Sequence, residues 1–188
     1  MTSEARAAIG PPVAARSATE IGGVAFRFEP HRCFACGELN EHGLRLELHT
    51  DASGCRTAFT LDPRFQGWEG VAHGGILCTI LDEVMAWSVI GQGTWGVTAR
   101  MTVDFRRPVP VGRAIRAEGQ VAQASRRLFR TTGRIVDAET DETLATAEGA
   151  YVAAPPERLA ELQARYRLRP VNDRRMDELA DVPGGVDS

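Results

Sequence analysis

The sequence predicts an α+β fold in which a curved antiparallel sheet encloses one long apolar helix. Residues 76–90 are apolar almost all round, and a helix of this kind must be covered on most of its sides. Alternating apolar and polar residues predict two strands before this helix and four after it. A helix that needs a cover and a set of half-buried strands combine naturally into one layered domain.

The elements are delimited by their alternation and by turn residues such as Ser53-Gly54 and Asp62-Pro63. Residues 1–25 are expected to be a mobile lead-in, 26–154 the folded domain, and 155–188 a short helix with a disordered tail. The predicted strands, in chain order, are 44–49, 55–61, 97–106, 115–121, 126–138 and 143–153. The predicted terminal helix is 157–168.

Composition excludes several classes of function. A formal net charge of −3 over 188 residues argues against a general nucleic-acid binder. No uncharged apolar stretch reaches the roughly eighteen residues of a membrane span. Four cysteines do not form a dense disulfide framework, so we expect a reducing, cytoplasmic setting.

The opening of the central helix is the first candidate for chemistry. Gly74 and Gly75 lack a Cβ atom, so a ligand oxygen could approach the free N–H groups and the positive end of the helix dipole. Asp82 and Glu83 follow inside the apolar helix, where an unpaired charge costs several kcal/mol. A functional role or pairing with arginines, such as Arg100, would explain that cost.

The spacing along this helix favours a site shared by two chains. Gly75 and Asp82 are seven residues apart and lie on one face, separated by about 10 Å of helix rise. Two antiparallel helices at a two-fold interface would bring Gly75 of one chain near Asp82 of the other. Asp82 is favoured over Glu83 because Asp82 shares the face of the glycines.

A metal site is a weak alternative near the N-terminus. His31, Cys33, Cys36 and His42 offer four possible zinc ligands. A single Cys-x-x-Cys without a second half is weak evidence for zinc, so we expect no metal and a loop packed under the sheet.

The motifs resemble a known family. Residues 66–75 read QGWEGVAHGG, residues 98–108 read TARMTVDFRRP, and CFACG at 33–37 precedes Gly43-Leu44. With an aspartate nine residues after the histidine, the chain from about Arg32 to Ala153 resembles the PaaI-like group of hotdog-fold acyl-CoA thioesterases.

The resemblance implies a role for each motif residue. The N–H group of Gly74 or Gly75 is implied to hold the thioester carbonyl oxygen, and Asp82 to act as general base or nucleophile. His73 is implied to shape the loop, and Thr98 to position the water or the carboxylate. Many members carry an asparagine where this chain has Gly67, and the neighbouring Gln66 is expected to substitute for it.

We therefore expect a homodimer or a dimer of dimers that hydrolyses an acyl-CoA without a cofactor. A non-catalytic acyl-CoA-binding module is the first alternative and a hotdog dehydratase the second. Two arginine pairs could bind CoA phosphates, although solvated surface is the commoner explanation. These arginines are Arg106, Arg107, Arg126 and Arg127, and the residues that suggest an apolar pocket are Trp68, Met85, Trp87 and Trp95.

Overall fold

The computed structural model describes residues 18–21, 24–166 and 169–170. Two α-helices are present there, α1 (Gly74–Ile90) and α2 (Pro156–Tyr166). The strands, in chain order, are β1 (Ala18–Ile21), β2 (Val24–Arg27), β3 (His49–Asp51), β4 (Gly54–Thr60), β5 (Gln66–Trp68), β6 (Val71–Ala72), β7 (Gly96–Phe105), β8 (Ala114–Ala124), β9 (Leu128–Asp137), β10 (Thr143–Ala153) and β11 (Arg169–Pro170).

One large sheet carries the fold. Its strand order is β11-β2-β1-β3-β4-β8-β9-β10-β7, and β5 pairs with β6 in a separate small hairpin. The pairs are antiparallel except for β1 with β3. Because β8, β9 and β10 are joined by short hairpins, their register is fixed by local turns.

Helix α1 packs on the inner face of this sheet against β8, β4, β9, β7 and β10. Ile80, Leu81 and Val84 are fully buried in that contact. Gly119 of β8 permits the close approach, since a Cβ there would lie 2.5 Å from the backbone of Val84. Each fully buried aliphatic side chain of the helix contributes about 1.5–3 kcal/mol to folding.

The α+β architecture predicted from the pattern is confirmed. The helix predicted over 76–90 runs from Gly74 to Ile90, and each of the four strands predicted after it is present. The predicted strand at 55–61 is β4, and the short helix predicted over 157–168 is α2. Residues 167–168 and 171–188, including the tail predicted to be disordered, lie outside the described residues.

Two predictions about the N-terminal part are corrected. Of the strand predicted over 44–49, only His49 lies in a strand, as the first residue of β3, although Leu46 and Leu48 are buried as the alternation predicts. Arg45 has a positive φ of 53°, and the N–H groups of Leu44 and Leu46 bond to the carbonyl oxygens of Phe34 and Ala35. The second correction concerns residues 1–25, which were predicted to be a mobile lead-in. Strand β1 and the first two residues of β2 lie within this segment. Residues 1–17 and 22–23 lie outside the described part.

The sheet ends in a long open edge at β7. This ten-residue strand pairs with β10 on one side, and no described strand pairs with its other side. Val97 and Phe105 are 65% and 55% exposed. Helix α1 also leaves a stripe that the sheet does not cover, from Gly75 through Thr79 and Asp82. Within the described residues, no helix is both long and apolar enough to cross a membrane.

Candidate active site

The start of α1 is organised by His73. This residue is the N-cap, and its Nδ1 atom accepts a hydrogen bond from the N–H group of Gly75 at 2.9 Å. Its carbonyl oxygen accepts from the N–H groups of Ile76 and Leu77. Among the described residues, no acceptor bonds to the N–H group of Gly74. Of the two glycines considered from sequence, Gly74 is therefore the one with a donor available to a ligand.

The hairpin before the helix explains why a glycine occupies position 67. A Cβ atom on Gly67 would lie 3.1 Å from both Cα and Cδ2 of His73, so an asparagine there would press against the N-cap residue. The neighbouring Gln66 closes the hairpin, because its Oε1 accepts from the N–H group of Gly70 at 3.1 Å. No hydrogen bond joins Gln66 to Asp82 in the described chain, so its role toward a catalytic water stays a prediction.

The carboxylate of Asp82 is held by two hydroxyl groups. Thr98 Oγ1 and the phenol of Tyr151 each donate to Oδ1 at 2.8 Å, and Tyr151 also donates to the main-chain oxygen of Asp82 at 3.1 Å. The contact of Thr98 with the carboxylate is the one that the resemblance implies. No described group donates a hydrogen bond to Oδ2, which is therefore the oxygen available to a substrate or a water molecule.

Tyr151 was missed by the sequence reasoning. It is completely buried on β10, where inward positions are otherwise small residues such as Ala145 and Ala147. Burial and the neighbouring Asp82 charge raise the pKa of the Tyr151 phenol above its usual value, so the phenol remains a neutral donor. Alternation alone places Tyr151 on the inner face, but its contact with Asp82 also requires the register that places it opposite Thr98 and the packing of α1 on both strands.

Glu83 lies in a second and separate environment. Its Oε1 accepts from Trp87 Nε1 at 2.9 Å, and its Oε2 lies 4.0 Å from Cys33 Sγ. We call His31, Cys33, Cys36 and Glu83 the thiol cluster. Burial, and then the negative charge on Cys33, raise the pKa of Glu83 to about 7.

The two sulfurs of the thiol cluster differ in their surroundings. The Cys36 thiol and the N–H groups of Cys36 and Ala35 lower the pKa of Cys33 to about 5. The pKa of Cys36 is raised because its thiol is hydrogen-bonded to the sulfur of Cys33 and is buried.

Neither Asp82 nor Glu83 pairs with an arginine among the described residues. Pairing with arginines as the explanation of the two carboxylates is therefore wrong.

The helix separates the donor from the carboxylate. Gly74 and Asp82 are eight residues apart, which corresponds to about 12 Å of helix rise. An aspartate side chain cannot span that distance to reach a carbonyl carbon whose oxygen is bound at Gly74. The described chain therefore carries both groups of the implied site without bringing them together.

The two arginine pairs also lie apart. The Arg107 N–H group bonds to the carbonyl oxygen of Leu144 at one end of β10, and the Arg127 carbonyl oxygen accepts from Ala153 at the other. Nine residues of extended strand separate those ends, or about 30 Å. One chain therefore cannot bring all four predicted arginines to the same phosphate group. Two of them are also engaged with carboxylates, Arg106 with Asp104 at 3.7 Å and Arg107 with Glu142 at 2.9 Å.

An apolar cavity of about 480 Å³ opens beside the C-terminal half of α1. It is lined by Trp87 and Trp95, two of the four residues from which a pocket was predicted. The other two are placed elsewhere, since Met85 is fully buried in the core and Trp68 is 86% exposed on the β5–β6 hairpin. The aromatic lining also includes residues that the sequence did not indicate, Phe28 and Tyr166.

Comparison with known proteins places these features in a family context. Residues 69–144 match the family model described as the thioesterase superfamily. Acyl-coenzyme A thioesterase THEM4 of Bos taurus is 32% identical over 100 residues, which cover 51% of this chain and 39% of that protein. This chain therefore spans well under half the length of that curated relative.

Two solved structures show the same arrangement of helix and sheet. The E. coli PaaI protein, from the phenylacetic acid degradation operon, aligns with a TM-score of 0.52 at 24% identity, over 54% of this chain and 77% of that one. A Streptococcus mutans protein bound to acetyl CoA aligns with a TM-score of 0.55 at 15% identity, over 58% and 88%. The resemblance drawn from the motifs is confirmed.

The α+β sheet and its central helix therefore have the hotdog fold of these solved structures. The matched segment, 69–144, contains the helix opening, Asp82 and Thr98. Tyr151 and the whole CFACG segment fall outside it. The fold thus accounts for the position of the candidate site. Of the thiol cluster, only Glu83 lies within the matched segment, and His31, Cys33 and Cys36 lie outside it.

Proposed function

We propose that this protein is a thioesterase that hydrolyses an acyl-CoA to the free acid and CoA. The observation that carries the proposal is the carboxylate of Asp82, fixed through Oδ1 by Thr98 and Tyr151 with Oδ2 left open. The named relative that acts on acyl-coenzyme A and the neighbour bound to acetyl CoA support the substrate class.

The chemistry follows from the two groups. A water molecule attacks the thioester carbon and gives its proton to Oδ2 of Asp82, while the carbonyl oxygen becomes an oxyanion at the N–H group of Gly74. The C–S bond then breaks, and the CoA thiolate takes up a proton. Because Thr98 and Tyr151 hold Oδ1, the second oxygen is oriented without a further loss of side-chain entropy on substrate binding.

The site is proposed to form between two copies of the chain. Asp82 lies on the stripe of α1 that the sheet leaves open, and Gly74 lies at the start of α1 beside Phe105 of the unpaired edge strand β7. Pairing of two β7 edges around a two-fold axis would cover that edge and set the two α1 helices side by side in opposite directions. Gly74 of one chain then faces Asp82 of its partner.

The apolar cavity is proposed to receive the acyl group. Ala86 lines the cavity and lies one helical turn beyond Asp82 on the open stripe of α1. A chain extending from a thioester carbon at Asp82 can therefore continue past Ala86 toward Trp95. We expect medium-chain or aryl acyl groups to be hydrolysed faster than acetyl-CoA. Replacing Ala86 by Leu should narrow the entrance and remove that preference, while hydrolysis of acetyl-CoA persists.

The decisive experiment is thiol release from short, medium, long and aryl acyl-CoAs, with Asp82→Asn beside the wild type. We expect kcat for the preferred class to fall at least a hundredfold in Asp82→Asn. Asp104→Asn is the matched control, because Asp104 is an exposed carboxylate paired with Arg106 on β7. If turnover is absent or unaffected while acyl-CoA still binds, the chain is a binding module and the catalytic assignment is wrong.

The donor at the helix start can be removed without removing the helix. Gly74 is the first helical residue, where proline is well tolerated, and the ψ of 133° at His73 suits a residue before proline. Gly74→Pro deletes the N–H group, whereas Gly74→Ala keeps it and adds a similar Cβ atom 3.4 Å from the Phe105 ring. We expect a loss of about a hundredfold or more in kcat for the proline variant relative to the alanine variant.

Mixing the two inactive variants tests the shared site. A heterodimer of Gly74→Pro and Asp82→Asn chains has one site with both defects and one site with neither. Equimolar exchange should therefore restore about a quarter of wild-type activity if each site uses two chains. Sites built within single chains would leave every species defective, and no activity would return.

A further inference from the structure

The thiol cluster joins two distant parts of the chain away from Asp82, and His31, Cys33 and Cys36 also line the apolar cavity. His31, Cys33 and Cys36 lie on the loop before β3, and Glu83 projects from the middle of α1. The turn that carries the cysteines is tight, with the Gly37 N–H group bonded to the Cys33 carbonyl oxygen at 2.9 Å. A Cβ on Gly37 would lie 2.3 Å from the Cys33 nitrogen, so only glycine fits there.

The potential ligand atoms converge on one point. Cys33 Sγ, Cys36 Sγ and a Glu83 carboxylate oxygen all lie within 4.8 Å of one another, and Cys33 Sγ is 4.0 Å from Oε2 of Glu83. His31 Nε2 lies 3.9 Å from Cys36 Sγ. Ligands held at usual zinc bond lengths around a tetrahedron are about 3.3–3.8 Å apart. A contraction of about 1–1.5 Å would bring the two sulfurs and the carboxylate oxygen to those separations. His31 approaches Cys36 but is not part of that 4.8 Å group, so its ring must move further to supply the fourth ligand.

The cluster contains acidic groups without a cation. Glu83 makes no ion pair among the described residues, and its surroundings are the two cysteines, Trp87 and the Asp82 charge. Backbone N–H groups of Ala35 and Cys36 face the Cys33 sulfur, as expected where a thiolate is held. The Trp87 indole N–H group donates a hydrogen bond to Oε1 of Glu83 at 2.9 Å, which orients the carboxylate. Metal ligands are commonly oriented in this way by a hydrogen-bond partner that does not itself touch the metal.

We propose that His31, Cys33, Cys36 and Glu83 bind one zinc ion that ties the N-terminal loop to α1. Soft thiolates combined with imidazole and carboxylate favour zinc over magnesium or calcium. Without metal, Nδ1 of His31 accepts a hydrogen bond from the N–H group of Cys33 at 3.3 Å. Binding through Nε2 places the proton on Nδ1, so this contact opens when the metal binds. Four protein ligands close the site, and the zinc is structural.

The ligand set differs from the one considered from sequence. His42 was the fourth candidate there, but it is exposed, and its N–H group bonds to Asn40. Glu83 takes its place from fifty residues further along the chain. No spacing rule could have found it, because the position depends on how α1 packs over the loop.

The test is the zinc content of the untagged full-length chain, purified without chelator and measured by mass spectrometry. We expect about one zinc per chain in the wild type. Less than about a tenth of that should remain in Glu83→Gln and Cys33→Ser after dialysis against a chelator that leaves the wild type loaded. His31→Ala should lose zinc under the same dialysis, whereas His42→Ala and Cys78→Ser should keep it.

Cobalt substitution supplies a readout that does not depend on folding yield. Wild-type chain titrated with Co²⁺ should show a thiolate charge-transfer band and the visible bands of a tetrahedral site, saturating at one equivalent. Glu83→Gln preserves the shape of the side chain. Its titration with Co²⁺ should not give that spectrum and should not saturate at one equivalent. A wild-type chain that neither retains zinc nor gives the cobalt spectrum would overturn the proposal, as would full zinc retention in Glu83→Gln.

Discussion

Asp82 and Glu83 are neighbours on one helix and have the same functional group, yet they face different surroundings. Asp82 lies on the open stripe of α1, where two neutral hydroxyl groups hold one oxygen and leave the other free. Glu83 points toward the N-terminal loop, where an indole and two sulfurs surround it. Successive residues on a helix diverge by about 100°, which is enough to place them against different walls.

The difference teaches that surroundings, rather than residue type, assign the two roles. A carboxylate that is oriented but has a free oxygen can exchange a proton with a bound molecule. A carboxylate enclosed with thiols is suited to hold a cation and to fasten one segment to another. The two proposals are therefore separable, and each can fail without the other.

The largest expected effect separates the two carboxylates by activity. Asp82→Asn should lower kcat at least a hundredfold, because the amide cannot accept the proton of the attacking water. Glu83→Gln should change kcat for acetyl-CoA by less than about fivefold, because Glu83 faces away from the open stripe. Both variants are measured with acetyl-CoA at saturation, because His31, Cys33, Cys36 and Trp87 line the cavity proposed for longer acyl groups. Equal losses in the two would mean that the distinction between the two environments has no functional meaning.

Metal removal should lower the melting temperature through the site of Glu83 and not through that of Asp82. A stronger chelator that strips the wild type should lower its melting temperature by about 5–10 °C, given roughly 2.7 kcal/mol of binding linkage at a hundredfold excess over Kd. Glu83→Gln should melt at the same temperature with and without chelator, whereas Asp82→Asn should respond like the wild type. Thermal unfolding of the three proteins in parallel gives the result. A chelator effect that survives in Glu83→Gln would assign the stabilisation to another site.

The hydroxyl groups at Asp82 should have intermediate effects. Tyr151→Phe removes one donor from a fully buried position with little change in packing, and Thr98→Val removes the other. Each should lower kcat by about tenfold, the equivalent of one hydrogen bond to a charged group. KM should stay within about threefold, since neither hydroxyl is placed against the CoA part of the substrate. A loss confined to KM would instead place these hydroxyls in substrate binding.

The smallest expected effect concerns the start of α1, the helix that carries both carboxylates. His73→Ala removes the acceptor for the Gly75 N–H group and should cost about 1 kcal/mol, whereas His73→Asn restores a good N-cap. The alanine variant should melt about 2–4 °C lower than the asparagine variant. Both should respond to chelator as the wild type does, because the thiol cluster lies more than two turns away along α1.

The sequence predicted the elements that depend on local pattern. Alternation located β7 to β10, and the glycine pair located the start of α1 at Gly74. At residues 44–48 the alternation correctly predicts which side chains are buried but not the strand. The main chain there bonds to the backbone of residues 34–35 and not to a neighbouring strand. Alternation reports which side chains point inward, and the hydrogen-bond partner depends on the rest of the fold.

The candidate site was predictable only in part, for a related reason. Asp82, Thr98 and the glycines belong to contiguous motifs that a single sequence displays. Tyr151 donates to a residue 69 positions earlier, because the register of β10 places it opposite Thr98 on β7 and α1 packs against both strands. The separation of the two arginine pairs likewise became visible only once both ends of β10 were located.

The asymmetry of the sheet edges limits how large an assembly can become. The described sheet presents a ten-residue open strand at β7, while its other margin is the two-residue β11 against β2. A self-complementary strand that pairs with its own copy is consumed by that pairing, and the short far margin offers little backbone for another chain to extend. If two β7 edges pair as proposed, growth along the described sheet stops after one step and does not continue into fibres.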